Sequence, residues 1–405
     1  MLGEFLHGSS ANDSWIPMIK ALDAVRGPGK NSLYETVFFA GHIRFQYPPT
    51  SLLAISLLSS LHLLKIWTLN RLNVVVYLLN AAALAFLAFT LFRRTPREDR
   101  KPLADPAVMA LLTFAASLLF YPLVKGALLG QVQIWIDFLF TAVVIAWLLN
   151  YRGLAGLLIG IACSLKPQLA VLLFWAVLWG EWTFALGILA AFLPIALLSV
   201  GLFGLHSHAE YLSVLSFLSR HGEVFYPNNS INGILNWYLS PYDPLQWTAV
   251  ITPYNPVVFA GTMVMSLVGL AVIILPALKR QGRRAGLEDM AVAAISSVVS
   301  APVAWEHHYG ILLPLYLVML WRMLRGGAGI ASVALFVLSW ALVANFIAFV
   351  FLLHASAFVL VQAYCFFGAL LLLGLFLQAS LTAREPGRHS RNILPARGSD
   401  PRSVG

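Results

Sequence analysis

Residues 68–92 read TLNRLNVVVYLLNAAALAFLAFTLF, a stretch in which Arg71 is the single charged side chain. A helix needs about 20 mostly apolar residues to cross the hydrocarbon core of a bilayer. The stretch lacks the strict alternation of apolar and polar residues that a membrane barrel strand shows. It therefore predicts a membrane-spanning helix.

The same pattern recurs along the whole chain of 405 residues. Hydrophobic residues make up 60% and charged residues 11% of the chain, whereas soluble domains have roughly 45–50% and 25%. The sequence predicts an all-α polytopic integral membrane bundle of about ten to twelve transmembrane helices. The apolar runs are 49–64, 68–92, 106–121, 133–150, 154–180, 183–203, 254–278, 290–304, 309–323, 328–352 and 356–381.

Charge and cysteine content exclude other classes of protein. The net charge is +9, but most of the excess lies in short stretches between apolar runs, which is typical of cytoplasmic loops. We therefore expect no nucleic-acid partner. The two cysteines, Cys163 and Cys365, both lie in apolar runs, so a secreted disulfide scaffold is excluded.

Two long polar segments divide the chain. We expect residues 1–48 to form an outer-face loop that carries the catalytic acid, and residues 49–203 to form a first group of transmembrane helices. A second long outer-face loop, 204–253, precedes the second helix group, 254–381. Residues 382–405 form a basic cytoplasmic tail that we expect to be disordered. Loops this long in a compact protein are usually functional.

The distribution of Lys and Arg predicts which loops are cytoplasmic. The positive-inside rule assigns the basic tail and the 279–284 loop to the cytoplasm. Simple counting of spans from an outside N-terminal segment, however, places Arg93 and Arg94 outside, where basic residues are not expected. One short run is therefore expected to break or re-enter the bilayer, and Lys166-Pro167 is the best candidate for the break.

The first segment has no apolar stretch that could carry it across a membrane. Residues 1–48 contain neither a secretory signal nor a spanning helix, and they hold Lys20, Arg26, Lys30 and Arg44. Basic residues before a first span normally keep a segment in the cytoplasm. We therefore expect the natural protein to have an upstream helix of about 20 apolar residues.

Polar motifs near the ends of the apolar runs are candidates for catalytic or binding sites. The first comprises Asp13, Tyr34 and Phe-Gln-Tyr-Pro-Pro at 45–49. By residue type alone, it could also be a solvated loop followed by a proline-initiated helix. The second is Gly-Gln-Val-Gln at 130–133, whose amides could simply satisfy backbone groups at a helix end.

Two charged residues lie inside apolar runs. An intramembrane charge such as Lys166 is costly and often functional, although a lysine at a helix break can also reach the interface. Asp137 fits a helix-start carboxylate near the interface.

The last motif is APVAWEHHY at 301–309, between two runs. Adjacent residues such as His307 and His308 point in different directions on a helix, which makes them a poor metal pair. The motif could also be part of an interfacial aromatic belt. Asn-Asn-Ser-Ile-Asn-Gly at 228–233 consists of ordinary turn residues.

In order and spacing, these motifs resemble the polyprenyl-phosphate-sugar-dependent mannosyl- and arabinosyltransferases of glycosyltransferase family 87, which have the GT-C fold. The resemblance extends from Asp13 to about residue 381. Two departures are that no span precedes the acidic loop and that the usual Gly-Gln-x-Asn is Gly-Gln-Val-Gln here. The matching residues are Gly29, Leu33-Tyr34, Phe-x-Tyr-Pro-Pro (45–49), Gly-Gln (130–131), Gly-Leu-x-x-Gly…Leu-Lys-Pro (156–167), Asn229-Ser230 and Ser-x-Pro-x-x-Trp-x-His-His (300–308).

The resemblance implies a reaction that needs few catalytic groups. A lipid-phosphate leaving group is already a stable anion, so one base that takes the acceptor proton is enough; glycosidases need two carboxylates. We assign Asp13 as the base and Lys166, His307 and His308 as the groups that bind the donor phosphate. No Asp/Glu cluster demands a metal, and we expect neither a metal nor a cofactor. We assign the other motif residues to substrate binding: Tyr34, Tyr47, Gln131, Gln133, Asn229, Asn232, Trp305 and Glu306.

The expected function is transfer of a hexose or arabinose from a polyprenyl-phosphate donor to a glycan or glycolipid acceptor. Mannose is the first expectation and arabinose the second, and direct displacement would invert the anomeric centre. We expect a multi-pass protein of the inner (plasma) membrane whose site faces the periplasm or the outside. The alternative is a transporter or flippase of lipid-linked saccharides, which the missing inverted repeat and the position of the polar residues at one face disfavour. A third alternative is a non-catalytic membrane scaffold, which Asp13 and the Trp305–His308 motif disfavour.

Overall fold

The computed structural model describes residues 12–27, 32–95, 105–248, 252–279 and 282–383. These residues form α-helices joined by short 3₁₀ and π-helical turns, with no β-strand among them. Gly29 and the tail from residue 384, which was expected to be disordered, lie outside the described ranges. The helices are α1 Trp15–Arg26, α2 Leu52–Ser60, α3 Ile66–Arg93, α4 Pro106–Ser117, α5 Tyr121–Leu128, α6 Gln133–Leu148, α7 Arg152–Leu165, α8 Val171–Trp179, α9 Trp182–His221, α10 Ile231–Leu239, α11 Pro256–Leu278, α12 Leu287–Val299, α13 Leu312–Gly326, α14 Ile330–Val343 and α15 Tyr364–Thr382.

The predicted all-α polytopic membrane fold is confirmed. Within the described ranges, four helical segments are long and apolar enough to cross a bilayer: α3, α9, α11 and Val359–Thr382. The bent pair of α4 and α5, which meet at 46°, can count as a fifth. Shorter apolar helices, including α6, α7 and α14, lie beside them. Such short helices are tolerated in a membrane protein where their ends are buried in the bundle or line a cavity.

Helix α3 defines the two ends of the bundle. It has 28 residues and is therefore about 42 Å long. Near its start, the indole of Trp15 donates a hydrogen bond to Asn70 Oδ1 (3.0 Å). Just beyond its other end, Arg94 donates to the carbonyl of Leu148 (2.8 Å). The segment that carries Asp13 therefore lies at the opposite end of the bundle from the C-terminus of α6.

Basic side chains collect at the end marked by Arg94, which we call the basic end. The guanidinium of Arg152 lies 3.3 Å from the ring centre of Trp147, next to Leu148. The charge of Arg152 also interacts with that of Arg284. The basic residues after α3 and those before α12 thus share one end, as the positive-inside rule requires.

Helices α7 and α8 form a hairpin instead of one straight span. Lys166 leaves the helix in an extended conformation, and Pro167 starts a 3₁₀ turn. Further on, Trp175 of α8 packs against Trp147 at the end of α6 (5.4 Å between ring centroids) and against Phe184 at the start of α9 (5.8 Å). The chain therefore returns to the basic end, and Lys166 lies at the turn inside the bundle. Counted back from Arg284, a hairpin here in place of one span leaves the Arg94 loop at the same end as Arg284.

Glycines hold this hairpin tightly against α9. A Cβ atom at Gly156 would lie 2.1 Å from the carbonyl oxygen of Phe184, and one at Gly160 would lie 2.4 Å from that of Ile188. Small residues at this spacing let two membrane helices approach closely. The Gly-Leu-x-x-Gly motif is thus a packing element that positions Lys166.

Both segments expected to be outer-face loops contain helices. Residues 12–27 include α1, in which Trp15 and Met18 are buried. The 204–253 segment begins inside α9, which bends at Gly204 (φ +80°) and continues to His221. In the second stretch, the buried residues Tyr211, Val214 and Leu218 recur at helical spacing. Together the two segments form walls of the cavity described next.

Candidate active site

A cavity of about 1110 Å³ opens near the start of α3. Its walls come from chain segments that are far apart in sequence, from residue 12 to residue 308. The sequence-predicted residues that line it are Asp13, Tyr47, Gln131, Lys166, Trp305, Glu306, His307 and His308. Most of the motifs thus converge on one place in the fold.

Asp13 is held at the cavity through its backbone. Its N–H donates to the carbonyl of Leu129, just after α5 (2.9 Å). The side-chain amide of Gln131 donates to Asp13 Oδ2 (3.4 Å). On its other side, Gln131 Oε1 accepts from Ser14 (2.9 Å) and from the phenol of Tyr47 (3.3 Å). The backbone hydrogen bond therefore positions the Asp13 carboxylate, and its Oδ2 accepts one long hydrogen bond from Gln131.

Although Asp13 opens onto the cavity, the surrounding protein removes part of its hydration. This desolvation raises the pKa of the Asp13 carboxyl above 3.8. The hydrogen bond from Gln131 and the positive charge of Lys125 act in the opposite direction. A carboxylate with a raised pKa is a better proton acceptor than an ordinary Asp.

Lys166 is the centre of a polar network in the cavity wall. Its ammonium donates to Gln133 Oε1 (3.2 Å) and to His308 Nε2 (2.6 Å). Gln133 in turn donates to Asp137 Oδ1 (3.0 Å). Asp137 is 1% exposed, so it is a buried carboxyl linked to Lys166 through Gln133 and not the interfacial helix-start carboxylate that the sequence suggested.

Burial favours the neutral form of the two histidines. Burial, together with the charges of Lys166 and Lys125, lowers the pKa of His307 well below 6.5. Burial and the charge of Lys166 do the same for His308. In the neutral form, each ring contributes an N–H donor and no charge to a ligand.

The ring nitrogens of these histidines are partly unused. When Lys166 is protonated, its ammonium donates to His308 Nε2, and a neutral His308 then carries its proton on Nδ1. Among the described residues, neither His308 Nδ1 nor His307 Nε2 has a hydrogen-bond partner, and both are buried. Unpaired buried polar atoms are costly, which is typical of positions that a ligand completes.

Glu306 is buried, and both of its carboxylate oxygens are occupied. Oε2 accepts from the phenol of Tyr121 (2.6 Å), and Oε1 accepts from the phenol of Tyr364 (2.8 Å). These bonds tie the 3₁₀ turn Glu306–Ile311 to α5 and α15. Glu306 lines the cavity, but it is a poor second base because each of its oxygens already accepts a hydrogen bond from a tyrosine.

Four predicted substrate-binding residues do not line the cavity. The Tyr34 phenol donates to the carbonyl of Tyr47 behind the wall (2.6 Å), and Gln133 lies behind Lys166. Asn229 Oδ1 accepts from the backbone of Cys365 (3.1 Å), so its side chain joins two segments.

Asn232 likewise serves the fold. Its amide donates to Thr262 Oγ1 (3.1 Å), and its Oδ1 accepts from Asn236 (2.9 Å). The polar side chains of 228–233 therefore join this segment to α11. Trp305 remains at the cavity, where an isolated antiparallel bridge pairs it with Asn228.

Part of the cavity wall is apolar or carries only small side chains. Helices α9 and α11 contribute most of this part. Leu215 of α9 and Leu270 of α11 also remain exposed, at 36% and 40%. The apolar residues of this wall are Val171, Leu215, Leu218, Leu270 and Ile273; Gly269 and five small hydroxyl side chains lie among them, those of Ser219, Ser266, Ser296, Ser297 and Ser300.

Sequence reasoning missed several cavity residues. Lys125 lies on α5, between two apolar runs, and was therefore not recognised as a charge inside the membrane region. At the cavity, Arg44 pairs with Glu223 (2.7 Å) and lies over the ring of Trp247 (5.2 Å). The signal available for Lys125 was the same one that identified Lys166, a lone cation in an apolar setting.

Within the described ranges, no three His, Cys, Asp or Glu side chains converge as metal ligands. The absence of a metal requirement stays a prediction.

A comparison with protein families matches residues 45–302 to the model described as glycosyltransferase family 87. That match covers well over half of the chain. The chain belongs to glycosyltransferase family 87. It is therefore a membrane-embedded glycosyltransferase. No curated protein and no solved structure matches it.

The family match includes Gln131 and Lys166 but ends before Trp305 and begins after Asp13. The association of Asp13, His307 and His308 with the family segment therefore depends on the fold. That association is visible in the shared cavity.

Proposed function

We propose that this glycosyltransferase takes its sugar from a polyprenyl-phosphate donor and transfers it to a glycan or glycolipid. One feature supports this above all: a single cavity joins the polar group of Asp13, Lys166, His307 and His308 to the apolar wall between α9 and α11. A phosphodiester with a long hydrocarbon chain has the two kinds of surface that such a cavity fits.

The proposed reaction is a direct displacement. Asp13 takes the proton of an acceptor hydroxyl while that oxygen forms a bond to the anomeric carbon. The bond between the anomeric carbon and the phosphate oxygen breaks, and the electron pair leaves with the polyprenyl phosphate. The anomeric centre is inverted, so a β-linked donor gives an α-linked product.

The phosphate gains a second negative charge as it leaves. The Lys166 ammonium supplies the countercharge, since it already lies in the wall with one hydrogen not committed to Gln133 or His308. The free N–H positions of His307 and His308 add neutral donors. Fixed donors of this kind stabilise developing charge without reorganising during the reaction.

The charge distribution supports a definite orientation. Arg94, Arg152 and Arg284 lie at the basic end, and the cavity lies toward the other end of α3. The positive-inside rule places the basic end in the cytoplasm. We therefore propose an inner-membrane location with the cavity facing the periplasm or the outside. Mannose is our first choice of sugar and arabinose our second.

The test uses purified protein in liposomes with a polyprenyl-phosphate mannose that carries ³²P in the lipid and ¹⁴C in the sugar. Membranes of a deletion strain provide the acceptor, and the arabinose donor is tested in parallel. We expect ¹⁴C in the acceptor and an equal amount of free ³²P-polyprenyl phosphate. Movement of intact donor between leaflets without cleavage would instead identify a flippase and contradict the proposal.

A further inference from the structure

The cavity contains a second lysine whose amine is unengaged. Lys166 donates to Gln133 and His308, and Arg44 pairs with Glu223. Lys125 lines the same cavity but has no hydrogen bond or ion pair with any described residue. An ammonium group has three donors, so all three are available to a ligand.

Helix α5 places this lysine beside the proposed base. Leu129 N–H donates to the carbonyl of Lys125 (3.0 Å), and the carbonyl of Leu129 accepts from Asp13 N–H (2.9 Å). One helical turn thus carries Lys125 and anchors the segment of Asp13. The positive charge of Lys125 also acts on the Asp13 carboxylate.

The other side of α5 meets the histidine turn. A Cβ atom at Gly126 would lie 3.5 Å from His307 Cβ, so the two backbones are in close contact. The charge of Lys125 acts on both His307 and Glu306. Lys125 therefore lies between the base and the turn that carries the unpaired histidine nitrogens.

We propose that Lys125 binds the donor phosphate directly, on the side of the phosphate that faces Asp13. This inference rests on the proposed lipid-phosphate donor. Lys166 is restrained by its partners in the wall, whereas Lys125 can move with the phosphate as the bond to the sugar breaks. Lys125 forms no covalent bond; it stabilises the leaving phosphate by charge and hydrogen bonding.

The test measures binding of two probes, farnesyl phosphate and farnesol, to the full-length protein in lipid nanodiscs by titration calorimetry. The two probes share a hydrocarbon chain and differ in the phosphate. Lys125→Met should weaken farnesyl phosphate binding by about tenfold to a hundredfold, the range expected for a lost hydrogen bond to a charged group. Farnesol binding should not change.

Two further variants complete the design. Lys125→Arg keeps the charge and should retain most of the preference for farnesyl phosphate. Lys65→Met removes an exposed lysine that is not part of the cavity and should bind both probes like the unmodified protein. If Lys125→Met misfolds, the charge-neutral Lys125→Gln is measured in its place.

The outcomes separate this inference from the proposed function. An unchanged ratio of farnesyl phosphate to farnesol affinity in the Lys125 variants would overturn the role of Lys125. An equal loss for both probes would also overturn it, because that result indicates a structural role. If the unmodified protein does not prefer farnesyl phosphate over farnesol, the lipid-phosphate donor itself is refuted.

Discussion

Replacing Asp13 by Asn should abolish most of the transfer without disturbing the fold. The anchor of this residue is its backbone N–H on the carbonyl of Leu129, which the substitution keeps. Asn has nearly the same size as Asp but cannot accept the proton of the acceptor hydroxyl. The other carboxylate at the cavity, Glu306, has both oxygens occupied by Tyr121 and Tyr364 and cannot replace the base.

The expected loss of activity follows from the contribution of a positioned general base to the rate. Such groups contribute about 10²- to 10⁴-fold in rate, which corresponds to about 2.7 to 5.4 kcal/mol of activation free energy. We therefore expect kcat of Asp13→Asn to fall by at least about 10²-fold. The assay is transfer of labelled sugar by purified protein, with protein level and melting temperature measured in parallel.

A matched control is Asp105→Asn. Asp105 caps the N-terminus of α4 and does not line the cavity, and Asn is an equally good cap. This variant should transfer sugar at the normal rate. Near-normal turnover by Asp13→Asn, with Asp105→Asn as the reference, would refute the assignment of Asp13 as the base.

Three further variants test the surroundings of the base and the phosphate site. Activity requires ionised Asp13, so it should decline as the pH falls through the raised pKa of this group. Gln131→Leu removes a hydrogen bond that lowers this pKa and should therefore move the acid limb of the pH–rate profile to higher pH. A shift of the acid limb to lower pH would contradict the reasoning. His307→Ala removes the unpaired ring Nε2, so donor kcat/KM should fall by about tenfold to a hundredfold, and unaltered donor kinetics would exclude this ring from the phosphate site. Lys166→Ala should lose donor use and also stability, by about 1–3 kcal/mol, because Gln133 Oε1 loses its buried hydrogen-bond donor; full thermal stability would show that this hydrogen bond does not support the fold.

The sequence was sufficient to predict the fold class because long apolar runs have few structures open to them in a membrane. It also predicted that the chain breaks at Lys166-Pro167, since Pro cannot continue a helix ladder. Composition alone could not predict that α8 returns to the basic end. A helix that turns back inside the bundle and a helix that crosses the membrane are equally apolar, so their sequences look alike.

The residues assigned to the site line the cavity mainly where their side chains are costly to bury. His307 and Lys166 are expensive to bury, and both line the cavity. Asn229 and Asn232 were predicted to bind substrate, but amides serve equally well to satisfy buried backbone and side-chain groups, and here they do so. Lys125 was missed because its position between two apolar runs looked like an exposed loop.

The most direct measurement is an experimental structure of the protein with a non-hydrolysable polyprenyl-phosphate sugar analogue. We predict the hydrocarbon chain along the apolar wall between α9 and α11, the phosphate within hydrogen-bond distance of Lys166 and His307, and the anomeric carbon facing Asp13. A phosphate bound at the basic end, or a sugar whose anomeric carbon faces away from Asp13, would contradict the account.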